Sequence, residues 1–156
     1  MTQTIKPAPV RRSVTVKASQ ARAFEVFTEG FGRWWPRSHH IGKSEMTAGV
    51  IEPRVGGRWY EVGEDGTQCD WGKVLVWEPP RRVVLAWQLD AAFKYDPQLV
   101  TEVEVTFTPE GDTTRVALEH RLLERFGGDA EKVRDSVGSP RGWQSILQNY
   151  ADIASS

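Results

Sequence analysis

The segment SPRGWQSILQNYADIA, residues 139–154, decides how this chain folds. Trp143, Ile146, Leu147, Tyr150 and Ile153 recur at i, i+3, i+4, i+7 and i+10, an apolar stripe at helical period. Ser139 ahead of Pro140 supplies an N-cap and an N1 proline, so the sequence predicts a final helix starting there. A helix with one apolar side needs a partner surface, and the residues before it provide one. Thr113 to Leu122 alternates, placing Val116, Leu118, His120 and Leu122 on one side. Leu99 to Thr108 alternates as well, with Val103, Val105 and Phe107 opposite Glu102, Glu104 and Thr106. Further back, Arg82–Leu89, Thr67–Trp77, Arg58–Val62, Glu45–Glu52 and Val10–Lys17 read as strands. Asp65-Gly66, Pro79-Pro80 and Glu110-Gly111-Asp112 separate them as turns, and Gly72 marks an expected bulge. Ser19 caps a predicted helix over Gln20 to Thr28, and Trp34-Trp35-Pro36 falls in a short helical turn or loop. Asp129 is placed to cap another helix, ending at Val137. The expected architecture is α+β, a curved antiparallel sheet wrapped around a long C-terminal helix.

The 156 residues fit one domain. Residues 1–9, with Pro7 and Pro9, read as a flexible lead-in, and residues 10–156 as the folded unit. Hydrophobic residues make up 39% and charged residues 26%, which argues against disorder and coiled coil. Twenty Lys and Arg against 21 Asp and Glu leave a net charge of −1, with the basic residues scattered, so nucleic acid is not an expected partner. No apolar run is long enough to span a membrane or resembles a secretory signal, and the lone Cys69 has no disulfide partner; the cytoplasm is the expected location. The unusual feature is seven tryptophans, which either fill a core or line a concave site.

The runs GGRWYEVGEDG (56–66), CDWGKVLVWEPPRRVVLAWQL (69–89), TEVEVTF (101–107), LEH (118–120) and GWQSIL (142–147) resemble the SRPBCC, or START-like, superfamily. They are most similar to its branch named for the C-terminal domain of the heat-shock-protein-90 ATPase activator. The resemblance covers roughly residues 10 to 154. It implies a helix-grip (START/Bet v-like) fold with a cavity between sheet and helix. The superfamily includes lipid and hormone binders, polyketide aromatase/cyclases and ring-hydroxylase subunits, so a shared fold leaves the reaction open. The chain carries no counterpart of the separate N-terminal domain of the eukaryotic activators, an expectation against direct stimulation of a chaperone.

These readings converge on a protein that binds a small apolar or aromatic molecule, with binding preferred to turnover and no cofactor expected. The ligand-binding residues are expected to be Trp35, Trp59, Glu61, Trp71, Trp87, Phe107, His120, Trp143, Leu147 and Tyr150. The indoles would form the walls and supply a few N–H donors, and Glu61 and His120 would orient polar atoms. An enzyme alternative, aromatase/cyclase-like or hydrolytic, makes His120 and Glu61 a catalytic pair exchanging protons with a bound carbonyl compound; Asp70 and Glu119 are other possible partners for His120. A third reading, a chaperone-accessory module, predicts a filled interior and an exposed apolar patch. His39-His40 lacks the spacing of a metal site and reads as a polar loop, and no metal is expected. Cys69 reads as a structural thiol, and Ser136 and Ser139 as helix-end residues.

Overall fold

A computed structural model describes residues 8–156; most of the expected lead-in, residues 1–7, lies outside the described residues. The elements are β1 (Val10–Val16), α1 (Gln20–Thr28), α2 (Phe31–Trp34), β2 (Met46–Ile51), β3 (Arg58–Gly63), β4 (Gln68–Glu78), β5 (Arg82–Trp87), β6 (Thr101–Glu110), β7 (Thr113–Arg121), α3 (Ala130–Val137) and α4 (Ser145–Ala154). The seven strands form one antiparallel sheet in the order β1-β7-β6-β5-β4-β3-β2. The sheet curls into a half-barrel and α4 lies against it, the helix-grip architecture expected from the sequence.

Two bulges in β4 set which side chains face inward. Trp59 pairs with Gly72 and Tyr60 with Asp70, so Trp71 is an extra residue; Val74 pairs with Leu85 and Val76 with Val84, so Leu75 is another. Simple alternation would send Trp71, Lys73, Leu75 and Trp77 to one face. The bulges shift the phase, so that Trp71 and Val74 are buried while Lys73 is expelled to solvent. Gly72 is needed at the first bulge because a Cβ there would sit 1.7 Å from the Ala86 carbonyl oxygen. On the outer face, Arg121 bridges Glu102, Glu104 and Glu119, and Arg82 reaches Glu78 and Glu104.

Ser19 caps α1 as expected, accepting from the Arg22 amide, and Ala23, Phe24 and Phe27 are buried. Asp129 and Ser139 stand at N-cap positions but make no capping bond; the Ser139 hydroxyl donates back to the Ser136 carbonyl. The final helix is shorter than its stripe. Residues Pro140–Gln144 form a wide π-type turn broken at Gly142, whose ψ of −136° is not helical. A Cβ at Gly142 would lie 2.2 Å from the Val137 carbonyl oxygen, so this close approach needs glycine. Trp143 therefore belongs to the turn, Ile146, Leu147 and Tyr150 to the buried face of α4, and Ile153 is half-buried. Strand β7 ends at Arg121, and Leu122 leaves it with a φ of 65° instead of continuing the alternation.

Candidate functional site

Most of the space between sheet and α4 is filled. Phe27 packs edge-on against Phe107 and Tyr150 and tilts onto Trp34, with ring centroids 4.9–5.8 Å apart. The Tyr150 hydroxyl donates to the Ala23 carbonyl at 2.7 Å, and burial pushes its pKa above the usual phenol range. Phe107 on β6 and Leu147 and Tyr150 on the buried face of α4, expected in a ligand wall, are core residues.

The open space lies to one end of this core. A cavity of about 390 Å³ is bounded by Trp35 and the following loop (Ser38 to Ile41), by Trp71 and Trp87 from the sheet, by Leu89 and Phe93 beyond β5, and by residues 136–146; α4 itself contributes Ile146. That volume falls within the roughly 300–1,000 Å³ typical of small-molecule sites. The structure thus brings Trp35, Trp71, Trp87 and Trp143 together in one wall and holds Trp59, Glu61, Phe107, His120, Leu147 and Tyr150 outside its lining. The indoles contact one another as well as the void: Trp35 and Trp71 are 5.0 Å apart, Trp35 and Trp143 6.0 Å, and Trp87 and Trp143 5.7 Å.

The expected N–H donors are absent from most of this wall, because the protein uses them itself. Trp35 Nε1 donates to the His39 carbonyl (2.7 Å), Trp71 Nε1 to Glu61 (2.9 Å) and Trp143 Nε1 to His120 Nδ1 (3.1 Å). Three of the four rings consequently offer carbon to the cavity. Glu61 is fully buried on β3; it also accepts from the Ile41 amide at 2.6 Å and the Gly42 amide at 3.2 Å, tying the loop after Trp35 to the sheet.

His120 faces inward, as alternation predicts, and is fully buried. Its protons can be assigned without ambiguity. An indole nitrogen only donates, so Nδ1 accepts from Trp143. The Thr101 hydroxyl, 2.9 Å from Nε2, gives its own proton to the Trp87 carbonyl at 3.1 Å and so accepts from Nε2–H. Both nitrogens of a neutral imidazole are satisfied. Burial lowers the pKa from 6.5 to about 3. The carboxyl groups proposed as partners are engaged elsewhere: Glu61 as described, Asp70 with Arg58, and Glu119 with Arg11 and Arg121. His120 and Glu61 are thus two separately satisfied anchors, and no hydrogen bond joins them among the described residues.

The residues that sequence reasoning did not place at the site stand at its rim. His39 Nε2 donates to the Arg141 carbonyl (3.2 Å) and its Nδ1 accepts from the Ser38 hydroxyl (3.0 Å), bridging the loop and the turn before α4. His40, Arg141, Ser136 and Ser139 also line the cavity. Phe93 is 48% exposed with a φ of 59°, held by a turn in which Asp90 accepts from the Ala92 and Lys94 amides. The pair His39-His40 between Trp35 and Ile41 is the one signal that could have located this rim. Burial, followed by the charges of Glu61, Asp65 and Asp70, pushes the Cys69 thiol up, away from the reactive thiolate.

The family described as Activator of Hsp90 ATPase homolog 1-like protein matches residues 17–154. The chain belongs to this family. No curated protein matches it. Among solved structures it is similar to an anthrahydroquino-Gama-pyrone synthase, Txn09, in complex with SUM, at 39% identity over 95% of this chain and 97% of that one, with a TM-score of 0.66. It is also similar to CalC, a self-sacrificing resistance protein from Micromonospora echinospora, at 38% identity over 94% of each chain and a TM-score of 0.70. The Aha1 dimer from Colwellia psychrerythraea shares the fold at 15% identity, covering 96% of this chain and 97% of that one with a TM-score of 0.63. No helix among the described residues is long and apolar enough to cross a membrane.

Proposed function

We propose that this protein binds a small, flat aromatic molecule in the cavity at the end of the sheet. The observation that carries this reading is the convergence of Trp35, Trp71, Trp87 and Trp143 on one void, three of them with their indole N–H bonded to protein atoms. A carbon-faced wall of large rings favours a planar apolar body by burial and by ring-on-ring contact. The similarity to Txn09, described as an anthrahydroquino-Gama-pyrone synthase, supports the aromatic class. CalC is described as a resistance protein, so the two descriptions differ in kind and no reaction is carried over. A chaperone-contact reading needs an exposed apolar face. The large exposed apolar side chains among the described residues are Val55, Phe93 and Tyr95, on two separate loops, and Phe93 already belongs to the cavity rim.

The test is quenching of intrinsic tryptophan fluorescence by naphthalene, anthraquinone and flavone, repeated in Ser136→Trp. Ser136 is exposed and lines the cavity, so a large side chain there fills the void without entering the core. Saturable quenching in the native protein, weakened at least tenfold in the variant at unchanged melting temperature, is expected. No response across the three probes, or equal affinity in the variant, overturns the reading.

A further inference from the structure

Resting on that binding reading, we infer that His40 is the specificity-determining acceptor of the cavity, selecting aromatic ligands that donate a hydroxyl proton. His40 is half-buried and lines the void. Its Nδ1 lies 2.9 Å from the Gly42 carbonyl oxygen. A carbonyl can only accept, so Nδ1 carries the proton, and in the neutral ring Nε2 is left as a bare acceptor. Among the described residues Nε2 has no partner.

The surroundings make this nitrogen unusual in the site. The neighbouring His39 uses both ring nitrogens, one on the Arg141 carbonyl and one on the Ser38 hydroxyl. Ser139 gives its hydroxyl proton to the Ser136 carbonyl, and the N–H groups of Trp35, Trp71 and Trp143 are bonded to protein atoms. Of the other polar lining groups, the Trp87 indole and the Arg141 guanidinium can only donate and the Ser136 hydroxyl is exposed, whereas the His40 imidazole is oriented through Nδ1 and keeps Nε2 available as an acceptor. Its support is rigid in turn: the adjacent Ile41 and Gly42 amides are held by buried Glu61. A site that presents a fixed acceptor against an apolar wall discriminates for a ligand hydroxyl, because a ligand without one leaves the acceptor desolvated and unpaired.

Three probes of nearly equal size separate the possibilities: naphthalene, with no polar group; 2-naphthol, which donates; and 2-methoxynaphthalene, which only accepts. Dissociation constants are measured by calorimetry or tryptophan quenching in mildly alkaline buffer. The native protein is expected to bind 2-naphthol about tenfold more tightly than naphthalene or 2-methoxynaphthalene, about the worth of one hydrogen bond. In His40→Phe that preference disappears while affinity for naphthalene persists, and His40→Gln, which keeps an acceptor on a shorter reach, retains part of it. Equal binding of 2-naphthol and 2-methoxynaphthalene by the native protein, or a preference that survives His40→Phe, overturns the assignment while leaving the cavity reading intact. Failure of all three probes to bind the native protein instead overturns the cavity reading.

Discussion

Acidifying the protein should expose the buried imidazole of His120 as a stability liability. In the folded state His120 is neutral, bonded on both sides, and titrates only near pH 3; once unfolded it regains an ordinary pKa near 6.5. Below about pH 6.5 the unfolded chain therefore binds one proton that the folded chain refuses, so the stability contributed by this site is complete above that pH and is lost as pH falls toward about 3. The slope is about 1.4 kcal/mol per pH unit, which amounts to about 2 kcal/mol by pH 5. Protonation would also turn Nδ1 into a donor facing the donor Trp143 Nε1, with no rearrangement that keeps the Thr101 bond. The assay is urea unfolding of native protein and His120→Gln across pH 5 to 8. The glutamine amide can accept from Trp143 and donate to Thr101 without titrating, and subtracting the two curves removes every carboxylate and the other two histidines. The difference should be flat above about pH 7 and fall on the native side by about 2 kcal/mol at pH 5. A difference that stays flat to pH 5 refutes the neutral, doubly bonded imidazole.

Glu61→Gln replaces one of two accepting oxygens with a donor in a place where three N–H groups converge. It should cost about 1–3 kcal/mol by chemical denaturation and speed hydrogen exchange at Ile41 and Gly42; native-like exchange at those amides contradicts the anchoring role. Trp59 Nε1 is buried with no partner, whereas Trp71 Nε1 serves Glu61, so Trp59→Phe should destabilise less than Trp71→Phe by about 1–2 kcal/mol. Equal losses would mean that the indole N–H groups do not matter and ring volume alone decides.

The sheet was readable because each strand's alternation is a local property: Val103, Val105 and Phe107 point inward for the same reason that His120 does. Gly72 also carried its message, since a glycine inside a strand signals a bulge. What alternation cannot convey is phase after a bulge, and the extra residues Trp71 and Leu75 are why Lys73 faces solvent between two buried neighbours. The terminal stripe was likewise visible in Trp143, Ile146, Leu147 and Tyr150, but the break at Gly142 depends on a carbonyl of Val137 contributed by another helix. The site was least legible. Its wall needed four indoles from separate segments, and its rim depends on His39 and His40 bonding to backbone atoms of irregular loops, which leave no period in the sequence.

The buried polar groups and the cavity wall form one construction. Seen from the void, Trp35, Trp71 and Trp143 offer ring carbon; seen from behind, each is pinned through its only polar atom, by the His39 carbonyl, by Glu61 and by His120 respectively. Indoles offer large contact area but have freedom about two side-chain torsions, and a flat ligand gains most from rings already fixed in place. A hydrogen bond at the far edge of each ring limits that freedom without putting a polar group into the wall. The relay from Trp143 through His120 and Thr101 to the Trp87 carbonyl goes further, joining two wall segments across β7, β6 and β5. His120 is then a positioning residue, and its burial, which disqualifies it from exchanging protons with a guest, suits it to hold two rings at a constant spacing. The same division leaves recognition of polar atoms to the rim, where His40 retains a free nitrogen.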